Sequence, residues 1–400
     1  MKINTDPKKI EEFLTRAVEH IYPNEDFLRK KLLSGERQTI YLGIDPTGPT
    51  LHMGHAVVLK KLRDLQNLGH KIILLIGDFT ATIGDPDKLS VRKPLTRKEV
   101  LVNAKYYKKQ ASKFLKFGWG GAELRYNSKW LASLSFEELL KLSSHLTYAQ
   151  TIKRAMFQER MKENRDIYLN EFMYPLMQGY DSVVMDVDGE IGGNDQVYNM
   201  LVGRDLLKKI KNKEKFVIGT KLLVDPVGVK MGKTTGNMIT MKDDATEIFG
   251  KVMSWPDTMI LVGFELCTDV SLVEIEKIKQ EILAGVNPRD LKIRLAKEII
   301  TIYHSREEAD KAEQNFIKTF KEGGVPEKTE EVIATNGDLL IDICIKADLV
   351  KSKGEFRRLV GEGAVSNQET GDKVTDPNWR VITTAIFKIG KRRFLKVLIK

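Results

Sequence analysis

The spacing of hydrophobic residues along the chain changes from segment to segment. This spacing distinguishes predicted strands from predicted helices. Residues 39–44, TIYLGI, are apolar and rich in β-formers, and this composition predicts a buried strand. A loop with two prolines, DPTGPT, follows, and a helical spacing of apolar residues runs from Leu51 through Leu62. The apolar run in 71–78, KIILLIGD, completes a right-handed β-α-β unit. The pattern predicts an α/β fold with an open parallel sheet, which binds ligands where its strands end.

The remaining periodicities predict helices on both sides of this segment. Residues 1–33 are predicted to form one or two short helices, with Ile10, Phe13, Leu14 and Val18 as their apolar stripe. Residues 98–165 are predicted to be a largely helical layer over the sheet, with a possible subunit contact. Its expected core and packing residues are Tyr106, Tyr107, Trp119, Trp130, Leu139, Leu140, Leu142 and Leu146. Residues 243–325 are helical and charged.

Two histidines stand at the start of the helix that follows the first strand. His52 and His55 are three residues apart and share one face of the first turn. Gly54 between them has no Cβ, so backbone or a ligand can approach closely. Two imidazoles at a helix N-terminus can hydrogen-bond charge that develops on a phosphate. A pair of ordinary exposed histidines is the alternative that so short a motif leaves open.

Two aspartates follow the second strand. Either Asp78 or Asp85 could meet a substrate ammonium group, and both could instead cap turns. The basic residues after them belong either to a solvated loop or to a mobile phosphate clamp: Lys88, Arg92, Lys93 and Arg97.

A polar stripe follows one face of a later predicted helix. Tyr174, Gln178 and Asp181 have the spacing i, i+4, i+7, so they share that face. Polar side chains among methionine and leucine would be costly in a core without partners. The stripe therefore predicts a buried pocket for a small polar molecule.

Tandem glycines mark a further candidate site. Gly192 and Gly193 come before Asn194, Asp195 and Gln196, at the entry to a helix predicted over 197–202. This composition suits close approach of the backbone to a sugar or a phosphate. A simple N-cap by Asn194 or Asp195 is the alternative.

A cationic loop follows the strand predicted over 216–219. Residues 225–237, DPVGVKMGKTTGN, contain Lys230 and Lys233 three apart, with Thr234 beside them. This composition suits a clamp on a triphosphate that closes around the transition state. The loop lacks the spacing of a Walker motif, and a basic surface loop is the alternative.

Composition and charge narrow the class of protein. The chain has 400 residues, a net charge of +10 and two cysteines without metal-type spacing, which favours a reducing compartment and a polyanionic partner. Residues 346–400 carry thirteen Lys or Arg against six Asp or Glu, a net +7 that predicts RNA binding. Basic residues there lie near Phe387 and Phe394: Lys388, Lys391, Arg392, Arg393 and Lys396. The N-terminus is too polar for a secretion signal and no run is long enough to span a membrane, so a cytoplasmic protein is expected.

Taken in order, these motifs resemble those of bacterial tyrosyl-tRNA synthetases over nearly the whole chain. They are YLGIDPT…LHMGH, IGDFTATIGDP, YPLMQGYDS, GGNDQ and KMGKT. HMGH is similar to the H-I-G-H signature of class I synthetases, and KMGKT to their K-M-S-K-S lysine loop. The resemblance implies a Rossmann-like catalytic domain at 34–242 with N-terminal helices (1–33) packed on it. It further implies an α-helical anticodon-side domain at 243–325, a linker at 326–338 and a small α+β RNA-binding domain at 339–400.

The resemblance also implies roles for individual residues. Tyr41 and Asp181 would hydrogen-bond the tyrosine phenol, Asp85, Tyr174 and Gln178 its ammonium group, and Gln196 would lie near its carboxylate. Residues implied to bind ATP are Gly43, Asp45, His52, His55, Gly192, Asp195, Lys230 and Lys233. Residues implied to act on the phosphates in catalysis are Thr47, His52, His55, Lys230, Lys233 and Thr234. Which of Lys88, Arg92 and Lys93 reaches the pyrophosphate stays open.

The implied partners are L-tyrosine, ATP with its Mg²⁺, tRNA(Tyr) and a second copy of the chain, with neither a dedicated protein metal site nor a membrane. Three rivals remain at this point. They are a class I synthetase for tryptophan, a small nucleotidyltransferase that shares H-x-G-H, and a synthetase-like RNA-binding protein without catalysis. Tyr41 with Asp181 argues against the first, the 243–400 region against the second, and the intact histidine and lysine motifs against the third.

Overall fold

A computed structural model describes residues 3–85, 95–224, 238–321, 329–390 and 393–400, and the chain divides into two compact units, Met1–Arg306 and Glu307–Lys400. A six-stranded sheet organises the first unit. Its strands are β1 (Val18–Tyr22), β2 (Thr39–Ile44), β3 (Lys71–Ile76), β4 (Glu123–Tyr126), β5 (Gly189–Gly193) and β6 (Phe216–Thr220). Across the sheet the order is β1-β6-β5-β2-β3-β4, and every pairing is parallel except that of β1 with β6. The direction of winding reverses between β2 and β5, a position where open α/β sheets bind ligands.

Helices connect the strands of this sheet, and further helices follow it in the chain. Those of the first unit are α1 (Pro7–Thr15), α2 (Glu25–Leu33), α3 (Met53–Asn67), α4 (Arg97–Ala104), α5 (Tyr107–Ala111), α6 (Ser128–Leu131), α7 (Phe136–Ser143), α8 (Tyr148–Ile152), α9 (Ala155–Lys162), α10 (Leu169–Met185), α11 (Val197–Lys211), α12 (Ala245–Met253), α13 (Met259–Cys267), α14 (Leu272–Leu283) and α15 (Pro288–Tyr303). Short 3-10 turns lie at Thr80–Thr82 and Asn194–Gln196, and α16 (Arg306–Lys321) begins at the end of the unit.

The predicted β-α-β unit is confirmed as β2, α3 and β3. Strand β3 is buried from Ile72 through Ile76, as expected for a central strand that is covered on both faces. Ile40 and Tyr41 of β2 are fully buried. The α/β fold class is confirmed, with parallel strands joined by helices.

The N-terminal segment contains a strand that the apolar stripe did not predict. Ile10, Phe13 and Leu14 are buried on α1 as expected, but Val18 lies in β1 and pairs with Thr220. The helix ends before Val18 because Arg16 is extended and Ala17 has a φ of 56°. Placing Val18 in a helix was therefore wrong.

The layer predicted over 98–165 is helical except for strand β4, which joins the sheet beside β3. Tyr107 and Leu142 are buried as expected. Leu140 is exposed, so its assignment to the core was wrong, and Tyr106 and Trp119, which were expected to supply aromatic packing, are exposed as well.

A buried arginine ties the N-terminal segment to the helices after the sheet. Arg16 is 7% exposed, and its guanidinium donates to carbonyl oxygens at and beyond the C-terminal end of α13. The acceptors are the backbone oxygens of Phe264, Glu265, Thr268 and Val270, at 2.7–3.1 Å. These bonds satisfy carbonyls that a helix C-terminus leaves without partners.

The second unit has its own sheet and core. Strands β7 (Glu330–Ala334), β9 (Val365–Asn367), β11 (Ala385–Ile389) and β12 (Arg393–Ile399) pair in the order β7-β12-β11-β9, and β8 (Asp338–Leu339) pairs with β10 (Arg380–Val381). Helices α17 (Leu340–Lys346) and α18 (Lys353–Gly361) share one core with this sheet, in which Phe356 of α18, Phe387 of β11 and Leu395 of β12 are each at most 1% exposed. Strand β7 falls within the predicted linker 326–338, so the linker prediction was wrong there. The other predicted domain limits stay predictions.

Some basic residues of this unit are engaged within the fold. Arg393 pairs with Glu355 at 2.9 Å and Lys396 pairs with Glu331 at 2.7 Å. Lys388 lies 5.7 Å from the centre of the Phe394 ring. Lys391 and Arg392 lie outside the described residues. Within the described ranges, no helix is long and apolar enough to cross a membrane.

Candidate active site

A cavity of about 360 Å³ opens at the carboxyl ends of β2 and β5, where the sheet changes its direction of winding. Residues from β2, α3, α10, β5 and the connecting loops line it. Twelve residues predicted from sequence are among them: Gly43, Asp45, Thr47, His52, His55, Asp85, Tyr174, Gln178, Asp181, Gly192, Asp195 and Gln196. Four separate sequence motifs therefore meet at one site.

The two histidines cap the helix that carries them. The Gly54 backbone N–H donates to His52 Nδ1 at 3.1 Å, and the His52 backbone N–H donates to His55 Nδ1 at 3.2 Å. Because each Nδ1 accepts a hydrogen bond, the proton of each neutral imidazole resides on Nε2. A Cβ on Gly54 would lie 3.0 Å from His52 Cε1, which explains why glycine suits this position. Both histidines line the cavity, so the alternative of two ordinary surface residues fails.

The Asp45 carboxylate is held between two hydroxyl groups. Thr80 Oγ donates to Oδ1 at 2.7 Å and the Tyr174 hydroxyl donates to Oδ2 at 2.8 Å. Burial and the carboxylates of Asp45 and Asp85 raise the pKa of Tyr174 well above its ordinary value, so the phenol stays protonated and donates. Asp45 thus has a fixed orientation at the end of β2.

Asp181 lies at the buried end of the α10 stripe and is 2% exposed. Trp130 Nε1 donates to its Oδ1 at 2.7 Å, and Asn127 Nδ2 donates to its Oδ2 at 3.2 Å. Burial raises the pKa of the Asp181 carboxyl well above its ordinary value, although these two hydrogen bonds oppose the shift. A further donor from a ligand would stabilise this buried carboxylate.

Tyr41 is arranged differently from the other predicted residues. Its hydroxyl lies 2.9 Å from Ser182 Oγ, and its fully buried side chain is not among those that line the cavity. The Tyr41 ring lies within the core beside Ile73 and Val187. Its contact with a substrate phenol stays a prediction.

The two aspartates after β3 have different roles. Asp78 accepts hydrogen bonds from the Ser128 backbone N–H at 2.9 Å and from its hydroxyl at 2.7 Å, so it holds the turn before α6. Asp85 lines the cavity, where it accepts from Gln196 Nε2 at 2.7 Å. The turn interpretation therefore holds for Asp78, and Asp85 belongs to the site.

The GGNDQ segment joins β5 to α11 without the N-cap considered as its alternative. The residue at the N-cap position of α11 is Gln196, which makes no capping hydrogen bond with its side chain. The helix begins at Val197 as predicted and continues to Lys211. Gly192 and Asp195 line the cavity, as close approach to a ligand requires.

The predicted lysine loop, with Lys230, Lys233 and Thr234, lies outside the described residues, as do Lys88, Arg92 and Lys93. The described residues next to the lysine loop line the cavity on both of its sides: Leu222 and Leu223 before it, Met238 and Ile239 after it. Ile239 O accepts the Met53 backbone N–H at 2.9 Å, and this bond holds the segment that follows the lysine loop beside His52.

Several residues at the site carried no signal in the sequence analysis. Asn127, Trp130, Glu190 and Trp255 belong to no motif named above, yet they line the cavity or bond to residues that do. One signal was present, because Glu190 is an acidic residue within an apolar strand and Lys215 directly precedes the next strand. In the described part of the chain, no group of three or more His, Cys, Asp or Glu could hold a metal ion.

Comparison with known proteins identifies the family. A family model described as tRNA synthetases class I (W and Y) matches residues 33–321. The tyrosine–tRNA ligase of Carboxydothermus hydrogenoformans is 44% identical, over 97% of this chain and 97% of that protein. This chain belongs to the tyrosine–tRNA ligases. The tyrosine–tRNA ligase of Dehalococcoides mccartyi is 42% identical over 99% of this chain and 100% of the relative.

Solved structures share the fold of these ligases with the chain. A tyrosyl-tRNA synthetase from Archaeoglobus fulgidus, complexed with L-tyrosine, has a TM-score of 0.60 and 24% identity over 76% of this chain and 99% of its own. A C-terminally truncated mitochondrial tyrosyl-tRNA synthetase from Coccidioides posadasii has a TM-score of 0.63 and 23% identity over 76% and 91%. The family and class predicted from the motifs are confirmed. The relatives that span nearly the whole chain also argue against the tryptophan enzyme and the small nucleotidyltransferase.

Proposed function

We propose that this chain activates L-tyrosine with ATP to form tyrosyl-adenylate and pyrophosphate, and then transfers tyrosine to the 3′ end of tRNA(Tyr). One observation carries the proposal. The α10 stripe and the histidine pair of α3 line the same cavity, so a polar pocket for a small molecule adjoins a helix N-terminus suited to phosphates.

The tyrosine substrate is proposed to lie with its phenol at Asp181. That carboxylate is buried, is fixed by Trp130 and Asn127, and gains from the donor that a phenol supplies. The ammonium group lies among the oxygens of Asp85, Tyr174 and Gln178, and Gln196 lies near the carboxylate. Tyr41 contributes from behind the pocket through its contact with Ser182.

ATP, carried with its Mg²⁺, is proposed to extend from the β5 end of the cavity to the start of α3. Gly192 and Asp195 bind the ribose, and Gly43 and Asp45 lie close to the adenosine. Gly43 is exposed on β2 and lines the cavity, which supports this assignment. Thr47, His52 and His55 contact the phosphates, and Lys230, Lys233 and Thr234 complete that contact.

The chemistry needs no protein nucleophile. The tyrosine carboxylate attacks the α-phosphorus in line, the bond to the bridging oxygen breaks, and pyrophosphate leaves with the electron pair. Nε2–H groups of His52 and His55 can donate to the phosphate oxygens as charge builds on them. A hydroxyl of the terminal adenosine of tRNA then attacks the carbonyl carbon, and AMP leaves.

Three further features belong to the proposal. Residues 346–400 of the second unit contact tRNA, because their net charge of +7 complements a phosphate backbone. A second copy of the chain covers exposed apolar side chains on α7, α8 and α10, namely Phe136, Leu140, Tyr148 and Leu169. The enzyme acts in the cytoplasm, where ATP and tRNA are found.

The test is amino-acid-dependent exchange of pyrophosphate into ATP, with each of the twenty amino acids and without tRNA. Exchange with tyrosine alone is expected. Exchange with tryptophan or another amino acid instead would overturn the pocket assignment, and no exchange with any of them would overturn the adenylation reaction itself.

A further inference from the structure

A buried ion pair lies directly behind the pocket. Lys215 is 0% exposed and Glu190 is 2% exposed, and the Lys215 ammonium donates to Glu190 Oε2. Lys215 also donates to Ser182 Oγ at 2.8 Å, and this hydroxyl contacts the Tyr41 hydroxyl. A Cβ on Gly203 of α11 would lie 2.8 Å from Lys215 Nζ, so glycine makes room for the ammonium group.

Burying both charges of this pair costs free energy, so a contribution to stability alone would not explain the pair. Removing two charges from water costs several kcal/mol per ion, and apolar side chains of similar volume often stabilise a core at least as well. The geometry around Glu190 suggests what the pair does instead. Both Glu190 and Gln178 line the cavity, and both are in contact with each other.

Glu190 determines which end of the Gln178 amide faces a ligand. Gln178 Nε2 donates to Glu190 Oε1 at 2.9 Å. A carboxylate only accepts hydrogen bonds, so it selects the NH₂ end of the amide and leaves the carbonyl Oε1 for the cavity. An ammonium group needs an acceptor, and the reversed amide would offer it two N–H donors.

We propose that Glu190 and Lys215 are positioning residues for the amino-acid substrate, with Glu190 orienting the Gln178 amide toward the substrate ammonium and Lys215 holding the Glu190 side chain in place through their ion pair. The inference rests on the proposed function, because it takes Gln178 as a partner of the tyrosine ammonium. Neither residue belongs to a motif that the sequence analysis recognised.

Glu190→Gln separates this role from a merely structural one. Glutamine at 190 both donates and accepts, so it no longer selects one orientation of the Gln178 amide. We expect the Kd for L-tyrosine to rise about tenfold, a change of about 1.4 kcal/mol. Binding of 3-(4-hydroxyphenyl)propanoate, which has the phenol but no ammonium group, should change less than about twofold by the same conversion. In pyrophosphate exchange the change should fall on KM for tyrosine rather than on kcat.

In a second background, Glu190→Gln should change the affinity for tyrosine in the opposite direction. A merely structural role would not produce this reversal. In a Gln178→Glu background two carboxylates face each other, and Glu190→Gln then supplies a donor to the new carboxylate. Glu190→Gln should therefore weaken tyrosine binding in the natural sequence and strengthen it in the Gln178→Glu background. If Lys215 without its partner prevents folding, the double variant Glu190→Gln, Lys215→Met removes both charges and carries the same expectation.

The measurement is isothermal titration of each variant with L-tyrosine and with the phenolic acid. Loss of affinity for tyrosine alone, with the sign reversal, is the expected result. Equal weakening of both ligands, or no change for tyrosine, would overturn the positioning role. Absence of tyrosine binding by the unaltered chain would overturn the proposed function, and the inference with it.

Discussion

The His55 imidazole accepts the backbone N–H of His52 through Nδ1 at 3.2 Å, and the two ring centres lie 3.9 Å apart. His52 Nδ1 in turn accepts the Gly54 backbone N–H. The first turn of α3 thus uses Nδ1 of each ring for its own N-cap, and the proton of each neutral ring resides on Nε2. The same pair of side chains therefore caps the N-terminus of α3 and lines the cavity.

Substitutions that keep the cap but remove Nε2–H test the role of this pair. Aspartate is a favoured N-cap residue and glutamate completes a capping box, so His52→Asp and His55→Glu should fold with little change in Tm. Each should lower kcat for tyrosine-dependent pyrophosphate exchange by at least about 10²-fold, because a carboxylate only accepts hydrogen bonds and a transition-state donor is lost. Steady-state exchange kinetics and thermal unfolding measure the two effects. A rise in KM for tyrosine at unchanged kcat would contradict the assignment.

Replacing Asp181 should relax discrimination at the phenol. In Asp181→Asn one donor, from Trp130 or Asn127, faces an NH₂ group, and the site loses the acceptor proposed for the substrate hydroxyl. An unpaired buried polar group costs about 1–3 kcal/mol, so the preference for tyrosine over phenylalanine should fall about 10- to 100-fold.

The ratio of kcat/KM for tyrosine and phenylalanine measures this effect. Asp78→Asn is the matched control, since Asp78 is equally buried but bonds to Ser128 and does not line the cavity. An equal change of the ratio in both variants would show that the effect is not local to the pocket.

The strand and helices that carry the site were predicted from local patterns, because the periodicity of each one arises within a single segment of the chain. Examples are the strand and helix that bracket His52 and the α10 face that carries Gln178 and Asp181. Strands β1, β4 and β7 were not predicted. Each is short and depends on pairing with a strand far away in sequence, as Val18 does with Thr220.

The pocket's supporting residues were hidden for a related reason. Asn127 meets Asp181 across 54 residues, and Trp130 meets Asp181 across 51. Tyr41 shows the same dependence on the fold, because its hydroxyl lies 2.9 Å from Ser182 Oγ, a partner 141 residues away in sequence. Sequence spacing predicts which residues share a face, and only the fold decides which atoms of those residues meet.

Surface charge of the second unit should act on tRNA and not on adenylation. Arg357 is exposed on α18, whereas Lys396 is paired with Glu331. Arg357→Ala should weaken tRNA binding and reduce the salt slope of log K by about 1, the value for one phosphate contact. Lys396→Ala should change the slope less. Filter binding at several salt concentrations tests this, and a fall in tyrosine-dependent exchange for Arg357→Ala would argue against a role confined to RNA.

Acid stability should depend on His70, which is 3% exposed and accepts the Gln38 backbone N–H through Nδ1 at 3.2 Å. Burial, with Arg37 nearby, lowers the pKa of His70 from 6.5 to about 4. The unfolded chain therefore binds a proton more readily below pH 6.5, and up to about 3 kcal/mol of stability is lost as the pH falls from 6.5 to 4.

Urea unfolding between pH 8 and pH 4 measures this loss. His70→Gln should remove that part of the pH dependence, although glutamine costs some stability at every pH. An unfolding free energy with the same slope in both proteins would assign the acid sensitivity to other groups.

The most direct test of the account is the complete reaction. The full chain is incubated with ATP, Mg²⁺, radiolabelled L-tyrosine and tRNA(Tyr), and label in acid-precipitable tRNA is counted. Tyrosine esterified to the 3′ end, with no charging by labelled phenylalanine or tryptophan, is the result that the cavity and its family predict. Formation of tyrosyl-adenylate without transfer to tRNA would contradict the assignment of the chain as a ligase for tRNA.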